Sequence, residues 1–222
     1  RMAKGTGSIA EIRKKVTKTH ESISTSYHEA GHTIYALLHF MKVSSVSVFE
    51  DKKLKRINGI TYYDFPTDLD KIQDLELLNT LVQAEVGVSY SGLIAEKTLF
   101  KSISGSQQIP MFISEGSAED NKAARNSIIK YNLAPPGQKR SAYKQKLMRK
   151  VQSELHDNWD AVTLVAHALF SHRRLTFDDL QILLTTKSKK KKFWKEQFKN
   201  ITYFYNNNEH LDENDLKSIL SR

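Results

Sequence analysis

Residues 25–40 read TSYHEAGHTIYALLHF, and this stretch constrains the chain more than any other. Tyr27, Ile34, Leu37, Leu38 and Met41 recur at helical spacing, which predicts a helix over residues 24–41 with Ser24 or Thr25 capping its first turn. Inside it, His28-Glu29-Ala30-Gly31-His32 sets two imidazoles four residues apart, on one face and about one turn apart. Two rings so placed can bind a single divalent ion, and zinc suits the pair best. Glu29, next to the first His, reaches a water activated by the ion rather than the ion itself, and can take its proton as the water attacks a carbonyl. Gly31 leaves room for a close neighbour. With 8 His among 222 residues, chance supplies only about 0.02 H-E-x-x-H strings, so coincidence is a poor account of the motif.

A zinc hydrolase needs a third protein ligand and an open fourth position. The chain has no cysteine, so that ligand must be His, Asp or Glu and no disulfide can contribute. The metzincin pattern would place a His at position 38, where this chain has Leu38, and that lineage is excluded. His39 lies too far along the helix to reach the same ion, which leaves it a packed or partly exposed residue. Glu50, Glu85, Glu96 and Asp120 remain as acidic candidates, and spacing alone does not choose among them.

The rest of the chain predicts a mainly α protein with a small β-sheet. A hydrophobic content of 39% is enough to bury a core. VSSVSVF and GITYYDF read as two strands joined by a turn at Asn58-Gly59, the second an edge strand. Pro66 and Asp68 open a helical stretch that runs to Phe100, with Gly87 and Gly92 marking a break or a close helix contact. Residues 101–116 read as loop, and a further helix begins at Ser117 and stops at the prolines of APPG. One long amphipathic helix is predicted over 138–171. LTFDDLQILL and LDENDLKSIL then echo each other, each with a cap (Thr176, Asp212) and an acidic residue three positions on. Between them, the aromatics of FWKEQFKNITYFYNNN fall at helical spacing, a pattern of core packing rather than of base stacking. A net charge of +9 raises nucleic acid as a partner. The cations, however, are interspersed at helical spacing or lie between helices, so solvated faces and a linker account for most of them and nucleic acid is disfavoured.

Taken in order, SYHEAGHTIYALL, VSSVSVF, NGITYYDFP, YSGLIAEKTLF and GSAEDNKAARNSII resemble the peptidase domain of the FtsH-type ATP-dependent zinc metalloproteases. The resemblance covers roughly residues 24–133, with a weaker helical continuation to about 184. It implies a zincin-like architecture, one zinc ion held by His28, His32 and Asp120, and Glu29 as general base. Asp120 enters through Gly116-Ser117-Ala118-Glu119-Asp120, which stands where the family has its third ligand. Without the resemblance, an Asp in a first helical turn reads as complementing the helix dipole and backing a Ser117 cap. Glu96 corresponds to the first acid of an A-E-E string and would orient a ligand His; Lys97 replaces the second acid. The strand carrying Gly59, Ile60, Thr61, Tyr62 and Tyr63 matches the family segment where an extended substrate pairs with a sheet edge.

The chain also departs from the family. It has no G-x-x-x-x-G-K-[ST] phosphate loop, so no ATP site is assigned to it, and its longest apolar runs fall short of a membrane span. A peptidase fragment or a free-standing relative would account for this, and Met2 favours the second. The expected organisation is a basic N-terminal segment (1–22), a zinc peptidase domain (23–186) and a basic linker with a helical extension (187–222). The expected function is a zinc metalloendopeptidase acting on polypeptides, with an ATPase or adaptor in trans, self-association into a homo-oligomer and a cytoplasmic location. The rival expectation is a proteolytically inactive zinc-binding relative that serves as a protein-interaction or assembly module.

Overall fold

The computed structural model describes residues 9–53, 55–65, 69–104, 117–207 and 213–220. Helix α1 spans Ile9–Leu38, followed by strands β1 (Lys42–Asp51) and β2 (Arg56–Asp64) and the long helix α2 (Leu75–Ser104). Helices α3 (Ala118–Lys130), α4 (Arg140–Asp157) and α5 (Trp159–His172) come next, then a short strand β3 (Arg174–Thr176). Helices α6 (Phe177–Lys187), α7 (Lys191–Asn207) and α8 (Glu213–Leu220) follow. Among the described residues the molecule is mainly helical with one antiparallel three-stranded sheet, ordered β2-β1-β3, in which β2 lies at an edge. Among the described residues no helix is long and apolar enough to cross a membrane.

Helix α1 is the central element. Ala30, Ile34, Ala36 and Leu37 are fully buried, and α1 packs on α2, α5 and β2. It begins well before residue 24, so Ser24 and Thr25 lie inside it and cap nothing. Its other end is closed by α7: Gln197 Nε2 donates to the carbonyls of Leu37 (2.6 Å) and Leu38 (3.2 Å), satisfying acceptors that a helix C-terminus leaves open. Of the aromatics of α7, Trp194, Phe198 and Phe204 are buried as their spacing predicts, whereas Phe193 and Tyr203 are exposed. Trp194, Phe198 and Ile201 join the same buried cluster as α1, and Phe204 joins a smaller one with Leu77, Leu81 and Leu216.

Strand β1 turns Val43, Val46 and Val48 inward although the first two differ in parity; a register shift between Val43 and Ser45 reconciles them. Asn58-Gly59 does not form the hairpin turn. The last pair of the two strands is Asp51 with Arg56, Lys55 before it takes φ 53°, and Asn58 and Gly59 lie within β2 opposite Phe49 and Val48. Strand β3 is too short to announce itself by alternation. It pairs Leu175 with Val46.

The helix predicted over 138–171 is two helices, because Asn158 leaves helical geometry (φ −118°, ψ 23°), and its Nδ2 donates back to the Glu154 carbonyl at 2.9 Å. Thr176 caps α6 in a reciprocal box with Asp179, as its sequence predicts. Asp74, whose Oδ1 accepts from the Leu77 amide at 2.8 Å, stands at the start of α2. Pro66, Asp68, Asp212 and residues 105–116 lie outside the described residues, whereas 101–104 belong to α2 rather than to a loop.

Candidate metal centre

Helices α1 and α2 run antiparallel, and side chains at four-residue intervals meet across them. Ser24 Oγ donates to Glu96 Oε1 at 2.7 Å, and His28 Nδ1 lies 3.0 Å from Glu96 Oε2. Two turns away, His32 Nδ1 lies 2.6 Å from the Val88 carbonyl. Between them stands Gly92. A Cβ there would fall 2.5 Å from His28 Nε2 and 2.6 Å from His32 Nε2, so the absence of a side chain is what admits both imidazole tips. At Gly31 an added Cβ would meet the Ser91 carbonyl at 2.5 Å; that glycine permits the close helix approach anticipated for it.

The two Nδ1 contacts fix the chemistry of the tips. A carbonyl can only accept, so His32 Nδ1 carries a proton, and the Glu96 carboxylate imposes the same on His28. In the neutral rings both Nε2 atoms therefore present lone pairs, and they face each other at 2.8 Å. Asp120, in the first turn of α3, adds a third: its Oδ2 lies 3.0 Å from His28 Nε2 and 3.5 Å from His32 Nε2. Three lone pairs converging on one point are stable only around a proton or a cation. Ligand atoms of a tetrahedral zinc site, with bonds of about 2.0–2.1 Å, sit roughly 3.3 Å apart, a value these three separations bracket. The donor set of His28, His32 and Asp120, all within 4.8 Å of one another, could hold a metal ion. The residues present fit that role.

Electrostatics agree with that geometry. Burial alone would lower the pKa of His28, but hydrogen bonds to Asp120 and Glu96 and the charges of Glu96 and Glu29 outweigh it and raise it to about 10. Burial would raise the pKa of Asp120, yet its bonds to His28 and His32 hold it well below the usual carboxylate range. The position thus attracts positive charge. His28, Glu29, His32 and Glu96 are each less than a tenth exposed, whereas the Asp120 side chain is 28% exposed. The centre opens toward solvent on its Asp120 side.

Glu29 is held from β2. Its Oε2 accepts from Thr61 Oγ1 at 2.7 Å, and its side chain lies directly over Gly59, where a Cβ would collide with Cγ, Cδ and Oε1. Gly59, read in the sequence as a turn residue, serves here to let a carboxylate approach a strand. Of the expected strand residues, Gly59 and Thr61 therefore contact Glu29. Ile60 and Tyr63 are half-buried, and Tyr62 is exposed on the edge strand. The Tyr63 phenol is pushed up to about 12 by burial and by the charges of Glu85 and Asp120.

The other acidic candidates for a third ligand lie elsewhere. Glu50 is on β1, 2.5 Å from Lys18 Nζ. Glu85 is half-buried and bonds Ser127. Glu96 faces Nδ1 of His28, on the far side of the ring from Asp120. His39 bonds Glu154 at 2.9 Å, away from the centre. Ser117 precedes α3 without forming a side-chain cap bond. Sequence reasoning missed Ser24 and the Val88 carbonyl. Their signal, the four-residue spacing that also separates the two histidines, is visible only once α2 is known to run beside α1. No family model matches the sequence, and no curated protein matches it.

Proposed function

We propose that the chain is a zinc metallopeptidase of zincin-like, FtsH-peptidase architecture, hydrolysing peptide bonds in polypeptides. The observation that carries this reading is the convergence of three lone-pair atoms, on His28, His32 and Asp120, beside a carboxylate held in place by a neighbouring strand. His28, His32 and Asp120 would hold one zinc ion, with Glu96 orienting His28 through Nδ1 and the Val88 carbonyl orienting His32. Zinc, when bound, supplies a Lewis acid that polarises a carbonyl and brings the pKa of water toward about 7. Glu29 accepts the proton of the attacking water and returns it to the leaving amine. Thr61 restrains Oε2 of Glu29 and leaves Oε1 for that transfer. No residue of the chain is acylated.

The sheet order supports one mode of substrate binding. β2 is an edge strand, so an extended polypeptide pairing along Gly59–Tyr63 is held by its backbone next to Glu29, with tolerance for many sequences. A partner ATPase or adaptor that delivers unfolded chains, and self-association, are consistent with this mode of binding.

The test is metal content and turnover of an unfolded polypeptide by wild type and Glu29→Gln. Both proteins are expected to bind one zinc per chain, and the variant to lose at least about a hundredfold in turnover. Zinc-loaded wild type that cleaves no faster than Glu29→Gln would sink the peptidase reading and leave a zinc-binding module.

A further inference from the structure

Beside the metal centre, helices α2, α3 and α4 enclose two grooves. The larger, about 650 Å³, has Lys122 and Arg125 of α3 on one wall and Arg140 and Lys144 of α4 on the other. The smaller, about 460 Å³, lies between α2 and α4 and carries Lys97, Lys101 and Arg149. Among the described residues no acidic side chain lines either groove, in a chain with 25 Asp and Glu. Nor do these seven cations appear among the ion pairs of the described residues, which elsewhere engage Lys18, Lys130, Lys150, Lys199 and Lys217. Among the described residues, the cation of the larger groove that is engaged across it is Lys144, which donates to Asn121 Oδ1 at 3.2 Å and sits 5.2 Å over the Tyr90 ring. The two grooves are electrically joined: burial and the nearby charge of Lys144 both lower the pKa of Lys97. Like charges gathered without counter-charge cost free energy in the free protein and lower the cost of binding an anion.

We propose that this double groove docks an acidic polypeptide segment. Three features select that occupant. The floor is aliphatic, formed by Ile94, Ile128 and Met148 with Ile129 44% exposed at the lip, which suits a segment with apolar side chains between its carboxylates. Three of the seven cations are arginines, whose planar forks match carboxylates in bidentate fashion. The single aromatic ring in the lining, Tyr90, is 1% exposed and has Lys144 over its face, so the groove offers no platform for stacking bases. The groove also starts one residue from the metal triad, at Asn121 beside Asp120. A docked segment is therefore tethered next to the helix turn that carries Asp120, and the surface selects which chains reach the centre. Docking stands by itself; that consequence for substrate choice rests on the peptidase reading.

The test is fluorescence anisotropy of labelled peptides on the full chain carrying Glu29→Gln, so that nothing is consumed. A peptide of repeating Glu-Ala-Leu is compared with its Gln-Ala-Leu counterpart, a single-stranded oligonucleotide and vesicles containing phosphatidylserine. The acidic peptide is expected to bind at least about tenfold tighter than the glutamine peptide and to weaken about tenfold or more between roughly 0.05 and 0.5 M salt. The double variant Lys122→Glu, Arg125→Glu is expected to weaken it by about tenfold or more. Both positions are exposed, and an unchanged thermal melt confirms that the variant is folded. Equal binding of the two peptides, indifference to the double variant, or tighter binding of the oligonucleotide or the vesicles would overturn the proposal. Charge-dependent binding without any cleavage by wild type upholds the groove and defeats the peptidase reading; cleavage without charge preference does the reverse.

Discussion

Gly92→Ala separates metal binding from folding in a single substitution. The added methyl would stand 2.5 Å from His28 Nε2 and 2.6 Å from His32 Nε2, roughly 0.9 Å inside ordinary van der Waals contact. The tips must retreat by about that distance. Both rings are pinned at Nδ1, by Glu96 and by the Val88 carbonyl, so retreat stretches hydrogen bonds worth about 1 kcal/mol each. Such overpacking costs about 1–3 kcal/mol, while replacing a helical Gly by Ala returns up to about 1 kcal/mol. Net stability therefore falls by about 0–3 kcal/mol. Metal bonds tolerate about 0.2 Å of error, far less than the displacement, so zinc affinity is expected to drop by at least about a hundredfold. Competition with a chromophoric chelator measures the affinity, and urea melts in excess chelator measure the stability. Gly87→Ala is the control: its methyl would meet the buried Tyr35 ring, with Cζ at 2.6 Å, and should cost stability while leaving zinc affinity alone. A folded Gly92→Ala protein that binds zinc within about threefold of wild type would refute the assignment of the site.

Two further outcomes follow from the same contacts. Ser24→Ala leaves Glu96 Oε1 without its donor and loosens the group that orients His28; zinc affinity is expected to fall roughly threefold to tenfold, and unchanged affinity by titration calorimetry would reduce Ser24 to a packing residue. Glu154 is opposed by burial, yet its bond to His39, the charges of His39 and Lys150 and its bond to Tyr35 lower its pKa. A carboxylate with a depressed folded pKa contributes stability above its unfolded value, near 4.3, and loses it as pH falls through the folded value. Glu154→Gln should therefore unfold about 1 kcal/mol more easily than wild type near pH 7, a difference that urea melts should find abolished toward about pH 3; persistence there would contradict the sign.

What the sequence disclosed and what it hid divide by the range of the interaction. The helical character of the HEAGH segment, the existence of β1 and the Thr176–Asp179 box are written in neighbours within four residues and each is found, although α1 starts at Ile9 and β1 carries a register shift that its pattern does not give. The Asn58-Gly59 pair carries the composition of a turn, but Glu29, thirty positions away in the chain, requires a residue without a side chain in the middle of β2. Ser24 has the composition of a cap and spends its hydroxyl on Glu96, 72 residues on. The break at Asn158 interrupts a pattern whose apolar face continues on both sides, in Leu155 and Val162, so periodicity passes straight over it. Asp120 was one of four acids equally allowed by spacing, and only the packing of α3 against α2 brings its carboxylate to the histidines.

The antiparallel pairing of Ser24, His28 and His32 with Glu96, Gly92 and Val88 has a consequence for how such a chain can change. A substitution touches one rung. Inserting or deleting a single residue in either helix between these positions would rotate everything beyond it by about 100°, carrying several rungs out of alignment together. Through this stretch the pairing therefore constrains the number of residues in helices α1 and α2, and not only the side chains at the rungs.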